Sequence, residues 1–376
     1  MKQFLKTRTQ LFTFAAIAFL SGAMIITACQ KEKDPLVVGG PQSAPNLPQQ
    51  PYNYTFGDDH LATLGRVLFY DKALSLNNTI SCGSCHKQQH AFADNRRFSR
   101  GLFNGFTSRN SSMIFSGNAT FMSGERHKFW DGRAGSTDSA VFMPVMNELE
   151  MHTFDLNLLP GKLSGIDYYP QLFENAFGSP EITVAGIRTA LSSFVDNLVT
   201  MRSKFDLDQM SALEHEGREL FEGKANCYGC HNGPDFNGYE THYQSIGLEV
   251  NYADQGRGYI TNQEGDMGRF MVPTLRNIEH SAPYMHDGRF NTLRDVIDHY
   301  DHGVQDHRNL GWALRDIPEI FFDTTTAETE SEVNLQAFPV KRLNLSEHEK
   351  QALEAFLKAL SDPEFLTDPR YSDPFR

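Results

Sequence analysis

Apolar residues recur at helical spacing in three stretches of the chain. Ile187, Leu191, Phe194 and Leu198 share one face, as do Leu353, Phe356, Leu357 and Leu360 near the C-terminus. Leu293, Val296, Ile297 and Tyr300 form a third stripe, with Asn291 or Thr292 as its cap. Ser346 and Glu349 make a capping box ahead of the C-terminal stripe. Strand-like runs are weak and scattered, and 29 glycines and 17 prolines punctuate the chain. The expected fold is mainly α with long loops. Gly65-Arg66-Val67-Leu68-Phe69 and Gly217-Arg218-Glu219-Leu220-Phe221 each lead by a short stretch into a close cysteine pair. This degenerate repeat predicts two similar small domains, at 57–207 and 208–376. Phe322 to Asn334, rich in threonine and acid, reads as a solvated surface loop.

The N-terminus has a different pattern. Lys2, Lys6 and Arg8 precede an uncharged, mostly apolar run from Leu11 to Ala28, the layout of a signal peptide. Ile26-Thr27-Ala28-Cys29 resembles a lipobox, in which the cysteine becomes the lipidated first residue of a bacterial lipoprotein; a simple membrane anchor is the alternative. Pro35, Pro41, Pro45, Pro48 and Pro51 then mark residues 29–56 as an extended tether. Both readings put the body of the protein on the periplasmic side, held to a membrane.

Composition adds two limits. The chain has 376 residues, 40% hydrophobic and 12% aromatic, which excludes global disorder. Its net charge of −13, without basic runs, excludes a nucleic-acid binder.

The chemistry sits in the cysteines. Cys82-Gly83-Ser84-Cys85-His86 and Cys227-Tyr228-Gly229-Cys230-His231 both have the spacing of covalent c-type haem attachment. Two thiols one turn apart bond the two vinyl groups, and the adjacent histidine points at the iron. Zinc held by four cysteines and a redox dithiol are the competing readings. The long separation of the pairs, the histidine ending each, and export to an oxidising compartment favour two haems. Cys29 then takes lipid and the other four cysteines take thioethers, so the odd count of five leaves no spare thiol.

Residues around the pairs resemble a known family. Phe129-Trp130-Asp131-Gly132-Arg133-Ala134, Leu64-Gly65-Arg66 through Asp71, and Ala282-Pro283-Tyr284-Met285-His286-Asp287-Gly288 match the motifs of the bacterial di-haem cytochrome c peroxidases, a family that includes the MauG oxidases. The resemblance spans roughly residues 57–370. It implies two cytochrome c-like domains with a calcium ion near their interface. It makes His86 and His231 iron ligands and Glu150 the acid/base of the peroxide pocket, with Pro144 lining that pocket and Trp130 between the haems. Asn110, with the carbonyls of Ser281 and Pro283, would hold calcium, for which oxygen donors are suited. His286 would hydrogen-bond a haem propionate or guide electrons.

Two positions depart from the peroxidase pattern. Where peroxidases carry a histidine that closes the first haem until the second is reduced, an ungapped count reaches Leu102, and no histidine lies between His90 and His127. The first haem is therefore expected to be open in the oxidised protein. Where peroxidases place a methionine ligand to the second haem, the count from His286 reaches Tyr300, the MauG pattern; His299 is its nearest competitor. A phenolate favours ferric iron and would lower that potential. The expected function is peroxide reduction with electrons from a small cytochrome c or cupredoxin. A MauG-like oxidase of a protein or organic substrate is the second reading, and a non-catalytic electron carrier the third.

Overall fold

The computed structural model describes Gln42 and residues 59–114, 127–238, 243–318 and 334–376. The signal peptide, Cys29, almost all of the tether and most of the Phe322–Asn334 loop lie outside the described residues. Among the described residues no helix is long and apolar enough to cross a membrane.

The two copies of the glycine-containing segment build the same packing unit. Helix Asp59–Tyr70 crosses helix Val184–Asp196, and helix Ala212–Glu222 crosses helix Glu347–Ala359. Each crossing is closed at a glycine. A Cβ on Gly65 would sit 1.9 Å from the Ala190 carbonyl oxygen and 2.8 Å from Phe194 Cβ; one on Gly217 would sit 1.9 Å from the Ala352 carbonyl oxygen and 2.8 Å from Phe356 Cβ. Only hydrogen fits at either position. All eight apolar residues named for the Ile187–Leu198 and Leu353–Leu360 stripes are buried at these crossings. Thr183 caps its helix, and Ser211/Glu214 and Ser346/Glu349 form capping boxes.

A trio of aromatic rings fills each crossing. Phe69 meets Phe194 at 5.1 Å and Phe92 at 6.0 Å; Phe221 meets Phe356 at 5.2 Å and Phe236 at 5.9 Å. Such edge-on and tilted pairs are favoured over stacked rings. Among the described residues sheet is confined to two antiparallel two-residue strands, with Tyr243 opposite Met271 and Gln244 opposite Phe270. The molecule is thus helix-rich with little sheet, as the pattern of apolar positions predicts.

The C-terminal segment returns to the first core. Phe365 and Tyr371 are buried within it. Tyr70 donates its hydroxyl to the Tyr371 carbonyl (2.7 Å), and Gln88 Nε2 donates to the carbonyls of Phe365 and Asp368. Sequence periodicity does not reveal this return, because the segment after Leu360 has no helical stripe.

Candidate redox site

Each cysteine pair lies on one tight turn. The His86 amide donates to the Cys82 carbonyl (2.9 Å), and the His231 amide to the Cys227 carbonyl (2.8 Å). The two imidazoles are oriented alike. His86 Nδ1 is 2.7 Å from the Phe92 carbonyl oxygen, and His231 Nδ1 is 2.9 Å from that of Phe236. Each nitrogen donates, which leaves Nε2 as the nitrogen available to a metal. Phe92 and Phe236 have φ of +59° and +51°, a conformation that phenylalanine rarely adopts. The ring of each belongs to the aromatic trio of its crossing, so core packing holds the carbonyl that aims the histidine. Neither phenylalanine is marked by a motif, and sequence reading misses both.

The four thiols are enclosed by protein but reachable from an internal cavity. Burial pushes Cys82, Cys227 and Cys230 up to about 12 and Cys85 to about 11. A redox thiol needs the opposite shift. Among the described residues the four cysteines do not converge on a common metal position; the only such cluster is Asp298, Asp301 and His302, where Lys350 already lies 2.6–2.7 Å from both carboxylates. The zinc and dithiol readings lose their support, and the donor sets fit two covalent haems.

One cavity of about 710 Å³ connects the two ends. Its wall includes both cysteine pairs, His86, His231, Trp130, Pro144, Glu150, His286, Tyr300, Asn110, Ser281 and Pro283. Every non-lipid site residue singled out by the motifs therefore meets the same space.

Glu150 belongs to the His86 end, where its charge acts on Cys82 and Cys85. Burial raises its carboxyl, with Arg133 opposing weakly. Asn147 Nδ2 donates to Glu150 Oε1 (2.9 Å), and the Asn147 carbonyl accepts from the Glu150 amide (3.1 Å). Asn147 thus positions the carboxylate, a part that no residue-type signal in the sequence assigns to it. The Glu150 carbonyl accepts from the Leu102 amide (3.1 Å), and a Cβ on Gly101 would fall 1.6 Å from the Leu149 carbonyl oxygen. Leu102 is buried and absent from the cavity wall. The loop around Leu102 is thus sewn to the backbone of Leu149 and Glu150.

Trp130 sits on a turn in the cavity wall. Its Nε1 donates to the Asn110 carbonyl (2.9 Å), and its ring meets His286 edge-on at 6.5 Å. His286 stacks on Phe270 at 3.7 Å and 12°, and burial lowers its imidazole to about 4, with Asp287 and Asp254 opposing. Asn110 Nδ2 donates to the Arg96 carbonyl (3.0 Å), which leaves Oδ1 as the atom able to serve a cation. Beside it, Arg109 pairs with Asp131 (2.6 Å) and Asp254 (2.7 Å).

Tyr300 occupies the other end. Helix Leu293–Asp298, capped by Thr292 with Asp295, runs into a π-helical turn over His299–Gly303. Such turns concentrate at functional sites. His299 Nε2 is engaged by the Ile246 carbonyl (2.9 Å), His302 is exposed beside Asp301, and neither lines the cavity. Tyr300 does. Burial raises its phenol far above the usual range, and the Cys230 and Cys227 thiols add to the shift. Only a cation beside the oxygen would hold it as phenolate.

Comparison with known proteins agrees with this geometry. Residues 59–212 match the di-haem cytochrome c peroxidase family model. The cytochrome c551 peroxidase of Nitrosomonas europaea is 35% identical over 272 residues, covering 68% of this chain and 77% of that protein. The methylamine utilization protein MauG of Methylorubrum extorquens is 28% identical over 94% of this chain and 93% of its own. A solved MauG-like protein associated with microbial copper homeostasis superposes with a TM-score of 0.70 at 29% identity, over 89% of this chain and 97% of that one. An oxidoreductase that carries two c-type haems is what the cysteine turns, the shared cavity and these likenesses have in common, and the chain belongs to the di-haem cytochrome c peroxidase family, in which MauG is included.

Proposed function

We propose that this protein reduces hydrogen peroxide to water at the His86 end of the cavity, with electrons from a small cytochrome c or cupredoxin. One observation carries the reading: a half-buried carboxylate, Glu150, lines the cavity at the Cys82/Cys85 end with no histidine from the Leu102 loop beside it. Two haems would be held through Cys82, Cys85, His86 and Cys227, Cys230, His231, and would supply the redox chemistry of the site. Glu150 takes the proton from the near peroxide oxygen and returns it to the far one, which leaves as water. Asn147 holds Oε1, so Oε2 is the oxygen left for the proton. Pro144 keeps that part of the wall apolar. Trp130 stands between the two ends as the electron relay, with His286 against its ring. Asn110 Oδ1 and the carbonyls of Ser281 and Pro283 would hold calcium beside the Trp130 turn. The chain works as two cytochrome c-like domains, 57–207 and 208–376, tethered on the periplasmic side through lipid on Cys29.

Tyr300 favours a second reading. A tyrosine in the wall at the Cys227/Cys230 end is suited to an oxidase that, like MauG, acts on a protein or organic substrate. Stopped-flow mixing of the diferric protein with peroxide, then with reduced donors, separates the two. Rapid turnover with a cytochrome or cupredoxin supports peroxide reduction; a long-lived oxidised state that ignores both supports the oxidase. The same protein should show a high-spin ferric signal and bind cyanide or fluoride, whereas a closed electron carrier would do neither.

A further inference from the structure

Next to Trp130, His127 in the cavity wall is paired with Tyr243 behind it, and neither the motifs nor the proposed peroxide chemistry uses the pair. His127 lines the cavity and is exposed at its mouth, and His127 Nδ1 is hydrogen-bonded to the Tyr243 hydroxyl. Tyr243 packs directly against the Trp130 turn. A Cβ on Gly132 would lie 1.8 Å from the Tyr243 hydroxyl oxygen, so the glycine is what lets the phenol approach. The Met271 amide donates to the Trp130 carbonyl (2.7 Å), and Met271 is the strand partner of Tyr243. Above the ring, the Arg257 guanidinium lies 4.7 Å from the centroid.

These contacts set the chemistry. A phenol that loses an electron becomes a strong acid. A guanidinium over the ring is attracted to it while the ring is neutral and repelled once it is positive. Electron loss without proton loss is therefore disfavoured at Tyr243, and a base on the hydroxyl removes that obstacle. His127 is such a base, already hydrogen-bonded to the oxygen, and its exposure lets it keep contact with solvent protons.

We propose that Tyr243 and His127 form a proton-coupled redox site that brings the oxidising power of peroxide to the surface for small phenolic donors. The inference rests on the peroxide reading above. Tyr243 gives one electron towards the peroxide being reduced beside Glu150, and its hydroxyl proton moves to His127 Nδ1. A phenol at the mouth then gives one electron to Tyr243, which regains its O–H with the proton held on His127, and the phenol's own proton passes through solvent to the peroxide oxygens. Two such turns balance the reaction: one peroxide and two phenols yield two waters and two phenoxyl radicals. Substrate oxidation then takes place at the rim, where a molecule too large for the inner cavity can reach.

The test uses the diferric holoenzyme, freeze-quenched after mixing with peroxide, with peroxide consumption followed in parallel. Electron paramagnetic resonance should show a tyrosyl radical in the parent protein. Tyr243→Phe should lose that signal and the oxidation of a small phenol, while cytochrome-supported peroxide consumption stays unchanged. His127→Gln keeps the phenol but removes the base, and should lower the radical yield. Peroxide consumption with no tyrosyl signal, or the same signal in Tyr243→Phe, overturns this inference and leaves peroxide reduction standing. A radical yield indifferent to His127→Gln overturns the proton-coupled form of it. If peroxide is not consumed at all, the peroxide reading and this inference fall together.

Discussion

At the scale of single residues, the chemistry turns on how Glu150 is held. Its carboxyl is half-buried, and that desolvation raises it, so it takes up protons at a higher pH than an ordinary glutamate. Taking a proton from peroxide needs the carboxylate. Peroxide consumption should therefore fall on the acid side with a midpoint above the usual glutamate range, and a pH–rate profile checks this. Glu150→Gln should lower the rate by about 10²–10⁴-fold while both haem spectra persist. Asn147→Leu keeps the carboxylate but frees Oε1, and misplacement of this kind costs up to about 10²-fold. The acid limb should also shift in that variant, which damage to folding alone would not produce. Tyr300→Phe should change the absorption of the His231 haem and leave that of the His86 haem as it was.

Between helices, the two crossings make a matched pair of predictions. Gly65→Ala and Gly217→Ala each put a methyl onto a carbonyl oxygen of the opposing helix. Each should destabilise by about 1–3 kcal/mol, measured as a lower denaturation midpoint. The damage should also reach the metal, because Phe92 and Phe236 pack in these crossings and their carbonyls aim the histidines. The stripes of the Val184–Asp196 and Glu347–Ala359 helices were legible because burial on one helical face leaves a periodic mark. The cysteine turns were legible because covalent attachment dictates spacing. Phe92, Phe236 and Asn147 were not, since their roles depend on a backbone carbonyl's direction or on an amide within reach of a carboxylate. Neither leaves a pattern in residue type. Tyr300 stood between: the stripe placed it on a buried face, but only the π-helical turn, with His299 drawn off to Ile246, separates it from its neighbour.

Across the whole molecule, the cores are not divided along the chain as simply as the repeat predicts. Phe365 and Tyr371 complete the core built by residues 59–198, and Phe92 touches Phe365 at 5.6 Å. Truncation after Asp362 should therefore weaken the first core rather than the second. Loss of the Phe365 side chain alone removes about 1.5–3 kcal/mol of burial. Absorption spectra of the truncated protein should show the His86 haem disturbed and the His231 haem spared, although the deletion is nearer in sequence to the second pair. The same return of the chain sets an order of assembly. Domains generally fold as units, but here the core of residues 59–198 lacks Phe365 and Tyr371 until the segment beyond Leu360 has come back to it. Cys82 and Cys85 therefore wait in an unfinished core, open to the machinery that must fasten a porphyrin to them, and Phe365 and Tyr371 are the residues that shut it.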